Sequence, residues 1–191
     1  MSNKKSGSYW VTWANAHAQN SKSVDDLEVT FKGKVKAFIK ALQDAGATVK
    51  VNATERNAKR AYLFHWSWEI AQGKVKASAV PALKGVDIDW DHGNDKDNIK
   101  GAKEMVSGFG LAVPPVSKVA PSLTSNHISG KAIDMTISWK GKIKIAKKDG
   151  TKVEVTYMTN VNLNSTLQKV GESYGVRKLT SDAPHWSYNG R

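Results

Sequence analysis

The segment 125–134 constrains the fold of this chain more than any other, and its sequence is Ser-Asn-His-Ile-Ser-Gly-Lys-Ala-Ile-Asp. It places the imidazole of His127 and the carboxylate of Asp134 on either side of Gly130. Glycine adopts turn conformations that other residues avoid, so this pattern is typical of a loop that leads into a strand. Apolar side chains alternate with small or polar ones over residues 132–139, which predicts a strand with Asp134 on one face.

A second acid and a second histidine stand near the end of the sequence, in Asp182-Ala-Pro-His185-Trp186. The chain has no cysteine, so any zinc must be held by His, Asp or Glu. A hydrolytic zinc site needs three protein ligands, one open position for water and a general base close to that water. The two segments supply three such ligands and one further acid, namely His127, Asp134, His185 and Asp182. Spacing alone leaves an alternative open, a turn histidine with a strand-capping aspartate.

The net charge of the chain indicates which classes of partner it is expected to approach. The formal net charge is +12 at pH 7 and the isoelectric point is about 9.8, which favours a location near nucleic acid, an anionic membrane surface or a bacterial envelope. Only four of the 29 basic residues are arginine, the residue that base and phosphate recognition use most. Nonspecific attraction to anions is therefore favoured over specific nucleic-acid binding. A nucleic-acid-binding domain would explain the charge but not the segment 125–134.

Length and hydropathy predict one domain over residues 1–191, with 1–22 as a flexible or loosely packed N-terminal segment. The N-terminus lacks the apolar run of a signal peptide, and no stretch has the length of a membrane span. We therefore expect a monomer that is synthesised in the cytoplasm without a signal peptide and does not insert into membranes.

Hydrophobic periodicity predicts four main helices, over residues 25–45, 58–72, 98–107 and 164–174, with Ser23 as the candidate cap of the first. Strands are predicted over residues 48–51, 86–90, 132–139, 142–146, 152–158, 176–179 and 186–188. The pair Asp149-Gly150 predicts a hairpin between the fourth and fifth of these strands. The fold class is predicted as α+β, with an antiparallel sheet of about four strands that carries the metal site and helices packed outside it.

The acidic segment 87–97 is similar to a calcium-binding loop. An EF-hand needs Gly at position six and Glu at position twelve, where this chain has His92 and Asn98. The pattern favours a solvated acidic loop. His65, between aromatic residues of a predicted helix, is expected in the core and not at a metal.

The chain resembles the zinc D-Ala-D-Ala carboxypeptidase and L-alanyl-D-glutamate endopeptidase family, which has a Hedgehog-type fold. The resemblance lies in one long signature, Ser125-x-His127-x-x-Gly130-x-Ala132-x-Asp134, and in the closing motif Asp182-x-x-His185. It implies that one zinc ion per chain is held by His127, Asp134 and His185. It also implies that Asp182 is the catalytic acid and base.

The resemblance extends to an upstream loop, where such enzymes carry an arginine that stabilises the oxyanion. Residues 54–62 are similar to that region, so Arg56 is assigned this role, with Arg60 as the alternative. Ser125 is expected to hold the loop or the tautomer of the histidine. Trp186 is expected to pack under the metal.

The function implied is hydrolysis of the peptide stem of bacterial peptidoglycan. The combination of Asp182 with His185-Trp186 departs from many carboxypeptidase members and favours an L-alanyl-D-glutamate endopeptidase. Without a signal peptide, such an enzyme would be a phage endolysin or an exported antibacterial effector, which reaches the periplasm or cell wall after release or dedicated export. The alternative is a non-catalytic zinc-containing module for cell-wall binding or interaction.

Overall fold

The structure, a computed structural model, describes residues 4–191. In this range the α-helices are α1 (Ser8–His17), α2 (Val29–Asp44), α3 (Ala58–Ala71), α4 (Asp95–Phe109) and α5 (Ser165–Ser173). The strands are β1 (Lys4–Lys5), β2 (Thr48–Ala53), β3 (Ile88–Asp89), β4 (Ala132–Ser138), β5 (Lys142–Ala146), β6 (Lys152–Thr156), β7 (Arg177–Lys178) and β8 (His185–Ser187). Short 3₁₀ turns occur at Val24–Asp26, Ala77–Ala79 and Val161–Leu163.

The chain forms two compact units, each assembled from two separate segments. Unit 1 contains the chain up to Gln19 together with Asn57–Thr124, and unit 2 contains Asn20–Arg56 and Ser125–Arg191. The prediction of a single domain over residues 1–191 stays a prediction, which requires that the two units unfold together.

Unit 2 is built on an antiparallel sheet with the strand order β2-β4-β8-β7. One face of this sheet is buried, because the apolar side chains of β4 and β8 pack with those of α2 and α5 in one core. The mixture of helices with a four-stranded antiparallel sheet confirms the predicted α+β class. The other face carries polar side chains, and the candidate site lies there.

Strands β5 and β6 form the predicted hairpin, with Ile143 opposite Val155 and Ile145 opposite Val153. Ile145 and Val155 are fully buried in the core of unit 2. The turn contains Asp149 and Gly150, whose φ of 87° requires the left-handed conformation that glycine adopts readily. The prediction from local turn chemistry is confirmed.

Helix α2 begins at Val29, so the prediction of a helix from residue 25 is wrong at its start. The carboxylate of Glu28 accepts hydrogen bonds from the backbone N–H groups of Thr30 and Phe31 and so caps the helix. Ser23, the predicted cap, instead accepts from the N–H of Asp25 in the preceding 3₁₀ turn.

Unit 1 packs α1, α3 and α4 around large buried side chains, among them Trp10, Trp68, Trp90 and Met105. Of the predicted N-terminal segment, residues 1–3 lie outside the described residues, and α1 is a helix whose Trp10 is buried. Helix α4 begins at Asp95, earlier than predicted, because the side chain of Asn94 accepts a hydrogen bond from the N–H of Asp97. The predicted strand 86–90 is reduced to β3, which pairs in parallel with β1.

Candidate metal centre

Three elements of unit 2 carry the predicted metal ligands. Asp134 lies on β4 and His185 on β8, and the two are direct partners across the antiparallel ladder. Directly opposed residues project from the same face of a sheet, so both side chains point to one place. His127 lies in the loop before β4 and faces the same place. The segment 125–134 and the segment 182–186 are separated by about fifty residues of chain, and the pairing of β4 with β8 brings them together.

The three ligand atoms form a nearly equilateral triangle. Nε2 of His127 lies 3.2 Å from Oδ1 of Asp134 and 3.2 Å from Nδ1 of His185, and the last two atoms are 3.1 Å apart. Three ligands placed about 2.0 Å from a tetrahedral zinc ion would be about 3.3 Å apart. The observed triangle has the size of one face of that tetrahedron, so this buried cluster can hold a metal ion.

Each imidazole has one inner nitrogen that faces the cluster and one outer nitrogen that faces away from it. The contacts of the outer nitrogens determine whether the inner ones carry lone pairs. Nδ1 of His127 lies 2.5 Å from the carbonyl oxygen of Thr54, and Nε2 of His185 lies 3.0 Å from the carbonyl oxygen of Arg191. A carbonyl oxygen only accepts, so each outer nitrogen donates a hydrogen. With neutral imidazoles, both inner nitrogens and the carboxylate oxygen then present lone pairs to one another. A cation between them satisfies all three, and this is the arrangement of metal-bound histidines.

The three ligand side chains also affect the pKa values of one another. Burial opposes ionisation of Asp134, but its hydrogen bonds with His127 and His185 outweigh burial and hold the pKa of Asp134 well below its usual range. Burial also lowers the pKa of His127, but Asp134 and the Thr54 carbonyl raise it by more, so the net shift is upward. Protons and a metal ion therefore compete for the same lone pairs.

The loop that carries His127 is fixed by its backbone. Gly130 has a φ of 65°, and its carbonyl accepts a hydrogen bond of 3.0 Å from the N–H of Glu28. A Cβ atom at this position would lie 2.8 Å from that nitrogen. The Ser125 hydroxyl accepts a hydrogen bond of 3.3 Å from the N–H of His127. Ser125 thus holds the loop, whereas the Thr54 carbonyl sets the imidazole tautomer.

Asn126 holds the Arg191 carbonyl that contacts His185, although the sequence motif assigns Asn126 no role. Its side-chain amide donates to the Arg191 carbonyl at 2.6 Å and to Oδ1 of Asn189 at 2.9 Å. The Arg191 carbonyl is the oxygen that orients His185. Thr54 and Arg191 were also missed, because they act through backbone oxygens that leave no residue signature.

Replacing Asn126 with alanine is expected to weaken zinc binding by about tenfold, because loss of an outer-shell partner leaves a ligand less well oriented. Competition with a chromogenic chelator measures the affinity. Asn162→Ala is a matched control, since the side-chain oxygen of Asn162 has no hydrogen-bond partner among residues 4–191. Equal affinities of the two variants would contradict the role of Asn126.

The structure places Asp182 outside the three-ligand cluster, on an exposed turn before His185. The turn is held by Lys178, whose ammonium donates to the carbonyls of Leu179, Asp182 and His185. Burial lowers the pKa of Lys178 to about 8, while the charge of Asp182 acts in the opposite direction. Lys178 was missed because its role depends on carbonyl groups brought together by the turn.

The two candidate arginines have different surroundings. The backbone N–H of Arg56 donates to the carbonyl of His127 at 3.0 Å, and the positive charge of Arg56 slightly opposes the upward pKa shift of that histidine. Arg60 lies on α3 in unit 1, where its guanidinium donates to the Ala14 carbonyl and to Oδ1 of Asn15. The backbone of Arg56 is thus bonded to the loop that carries His127, whereas the guanidinium of Arg60 forms its hydrogen bonds within unit 1.

Trp186 is fully buried on the face of β8 opposite His185 and packs 5.3 Å from the ring of Phe38. That Trp186 supports a bound metal from beneath stays a prediction.

The other histidines and the acidic loop have their own partners. Asp91 accepts hydrogen bonds from the Gly93 N–H and the Asn98 amide, and Asp89 forms an ion pair with Lys5. His65 pairs with the Pro121 carbonyl. Within residues 4–191, the cluster of His127, Asp134 and His185 is the one group of acids and histidines with metal-binding geometry.

No family model matches this chain, and no curated protein matches it. In the part of the chain that the structure describes, no helix has both the length and the apolar character needed to cross a membrane.

Proposed function

We propose that the chain is a zinc metallopeptidase that hydrolyses the peptide stem of bacterial peptidoglycan. One observation supports a metal-dependent reaction above all others. Three lone pairs converge within 3.2 Å of one another, and each imidazole is held in the required tautomer by a backbone carbonyl. Such orientation of both histidines serves metal binding and would be needless for an ordinary turn histidine.

The bound zinc would supply Lewis acidity and an activated water, and the remaining chemistry belongs to the chain. Asp182 accepts the proton of the attacking water and returns it to the leaving amine. Its exposed position on a turn is accessible to substrate and solvent. Arg56 stabilises the negative charge that develops on the carbonyl oxygen, and the hydrogen bond from its backbone N–H to the carbonyl of the ligand His127 supports this role.

The substrate class rests on the motif Ser125 to Asp134, on Asp182-x-x-His185 and on the charge of the chain. The resemblance to peptidoglycan peptidases with a Hedgehog-type fold supports a peptide bond of the stem, with the L-alanyl-D-glutamate bond favoured over D-Ala-D-Ala. The net charge of +12 would attract the protein to an anionic envelope. In this proposal the protein acts in the periplasm or cell wall, as a phage endolysin or an exported effector.

The decisive experiment incubates zinc-loaded protein with purified peptidoglycan and identifies the products by mass spectrometry. We expect new amine termini that disappear with a chelator and return when zinc is added back. Asp182→Ala is expected to retain zinc and to lose turnover by about 100-fold or more, the range for a general base. Asp44→Ala, which removes an exposed acid on α2, is the matched control.

The non-catalytic module is the competing function, and one observation favours it. The Asp182 carboxylate is exposed and lies outside the ligand cluster, as an acid without a catalytic task would. Stoichiometric zinc binding and retention on peptidoglycan without any product would establish the module and reject the peptidase.

A further inference from the structure

The polar face of the unit 2 sheet continues beyond the metal cluster. Lys50 is opposite Thr136, and Thr48 is opposite Ser138, in the ladder between β2 and β4. The intervening pairs carry Val49, Val51, Met135 and Ile137, which pack in the core. Side chains alternate between the faces of a sheet, so Thr136 and Ser138 share the face of Asp134. We call Lys50, Asn52, Thr136 and Ser138 the polar strip.

A β-bulge joins the polar strip to the metal cluster. The register steps from Val51 opposite Met135 to Ala53 opposite Asp134, which leaves Asn52 as the extra residue. The side chain paired with the metal ligand is therefore the small one of Ala53. The amide of Asn52 turns along the sheet instead and donates to Oγ1 of Thr136 at 2.9 Å. Its own carbonyl oxygen remains able to accept from a ligand.

Lys50 provides a charge without an internal partner. It is exposed, and among residues 4–191 no acid lies within ion-pair distance of its ammonium. Three other lysines of unit 2 do form ion pairs, Lys36 with Asp25, Lys40 with Asp44 and Lys142 with Glu154. The neighbouring groups, Thr136 and Asn52, are hydrogen-bonding but uncharged. The strip thus offers one ammonium group, hydroxyl groups and an amide beside the metal cluster.

We propose that the polar strip binds an extended peptide and that Lys50 recognises a carboxylate on it. Thr136 is two residues along β4 from the ligand Asp134, and a strand rises about 3.4 Å per residue, so Lys50 stands about 7 Å from the ligand row. An extended peptide advances by a similar distance per residue. The carboxylate therefore belongs about two residues from the bond that is cleaved. This inference rests on the proposed function and names a feature of its substrate.

The test uses two synthetic stem peptides that differ only in a carboxylate or a carboxamide about two residues from the scissile bond. For the acidic peptide, Lys50→Met is expected to raise KM by about fivefold, the upper range for an exposed ion pair, with kcat unchanged. The amide peptide should show no change in KM. Lys50→Arg should restore the KM of the acidic peptide, because it restores the charge.

Lys169→Met is the matched control, since it removes a lysine of α5 from the same unit, away from the polar strip. Equal changes in KM for Lys50→Met and Lys169→Met, or for the acidic and amide peptides, would overturn the inference. If the protein hydrolyses neither peptide, titration calorimetry with the zinc-loaded protein decides the matter. A preference for the acidic peptide that Lys50→Met abolishes would retain the strip while the peptidase proposal fails, and no preference would reject the strip.

Discussion

Replacing His127 with alanine is expected to abolish stoichiometric zinc binding and, with it, any hydrolysis. The change removes one corner of the ligand triangle and leaves the Thr54 carbonyl without its hydrogen-bond donor. Removal of a group that only orients a metal ligand costs about 10- to 100-fold in metal affinity, and loss of the ligand itself should cost more. Metal content by mass spectrometry and competition with a chelator measure the effect.

His17→Ala is the control for this variant, because His17 is exposed on α1 and lies outside the metal-binding group. It should bind zinc as the unmodified protein does. If His127→Ala still binds one zinc ion per chain with unchanged affinity, the three-ligand site is rejected.

Replacing Gly130 with alanine is expected to have the second large effect, on stability and on zinc binding together. The left-handed backbone at φ 65° disfavours any side chain, and the new Cβ would lie 2.8 Å from the backbone nitrogen of Glu28. Backbone atoms cannot rotate away, so the loop that carries His127 must shift. We expect the free energy of unfolding to fall by about 2 to 5 kcal/mol, the sum of a left-handed residue and an overpacked contact. Urea denaturation with zinc present measures it.

Gly141→Ala separates the two causes, because Gly141 also has a φ of 65° but a Cβ added there would meet no atom of residues 4–191 within 4 Å. It should lose about 1 to 2 kcal/mol from the backbone conformation alone and keep its zinc affinity. Equal losses in the two variants would mean that the contact between Gly130 and Glu28 contributes nothing.

Sequence patterns predicted the structure correctly where the determining interactions are local. Alternation over 132–139 placed Asp134 on one face of a strand, and Asp149-Gly150 located the hairpin, because both patterns depend on neighbours in the chain. Helix starts were less accurate, since the side chain of Glu28 caps α2 where Ser23 was expected to do so. Caps depend on which of several nearby polar side chains reaches the free N–H groups.

The outer contacts of the metal cluster could not be predicted. They involve the carbonyls of Thr54 and Arg191 and the ammonium of Lys178, which meet their partners only through tertiary folding. The division of the chain into two compact units is equally hard to read from the sequence. Their first two boundaries, after Gln19 and after Arg56, carry no glycine or proline and no change of composition.

The way in which the two units share the chain affects what a single proteolytic cut would do. Unit 1 and unit 2 each combine one segment from before Asn57 with one from after Arg56. A cut between these two residues would give two fragments, and each fragment would hold part of both units. The contacts of β2 with β4 and of α2 with β5 in unit 2, and of α1 with α4 in unit 1, would then join the fragments. The nicked protein should stay associated until both units unfold, as a split protein that reassembles from its halves does.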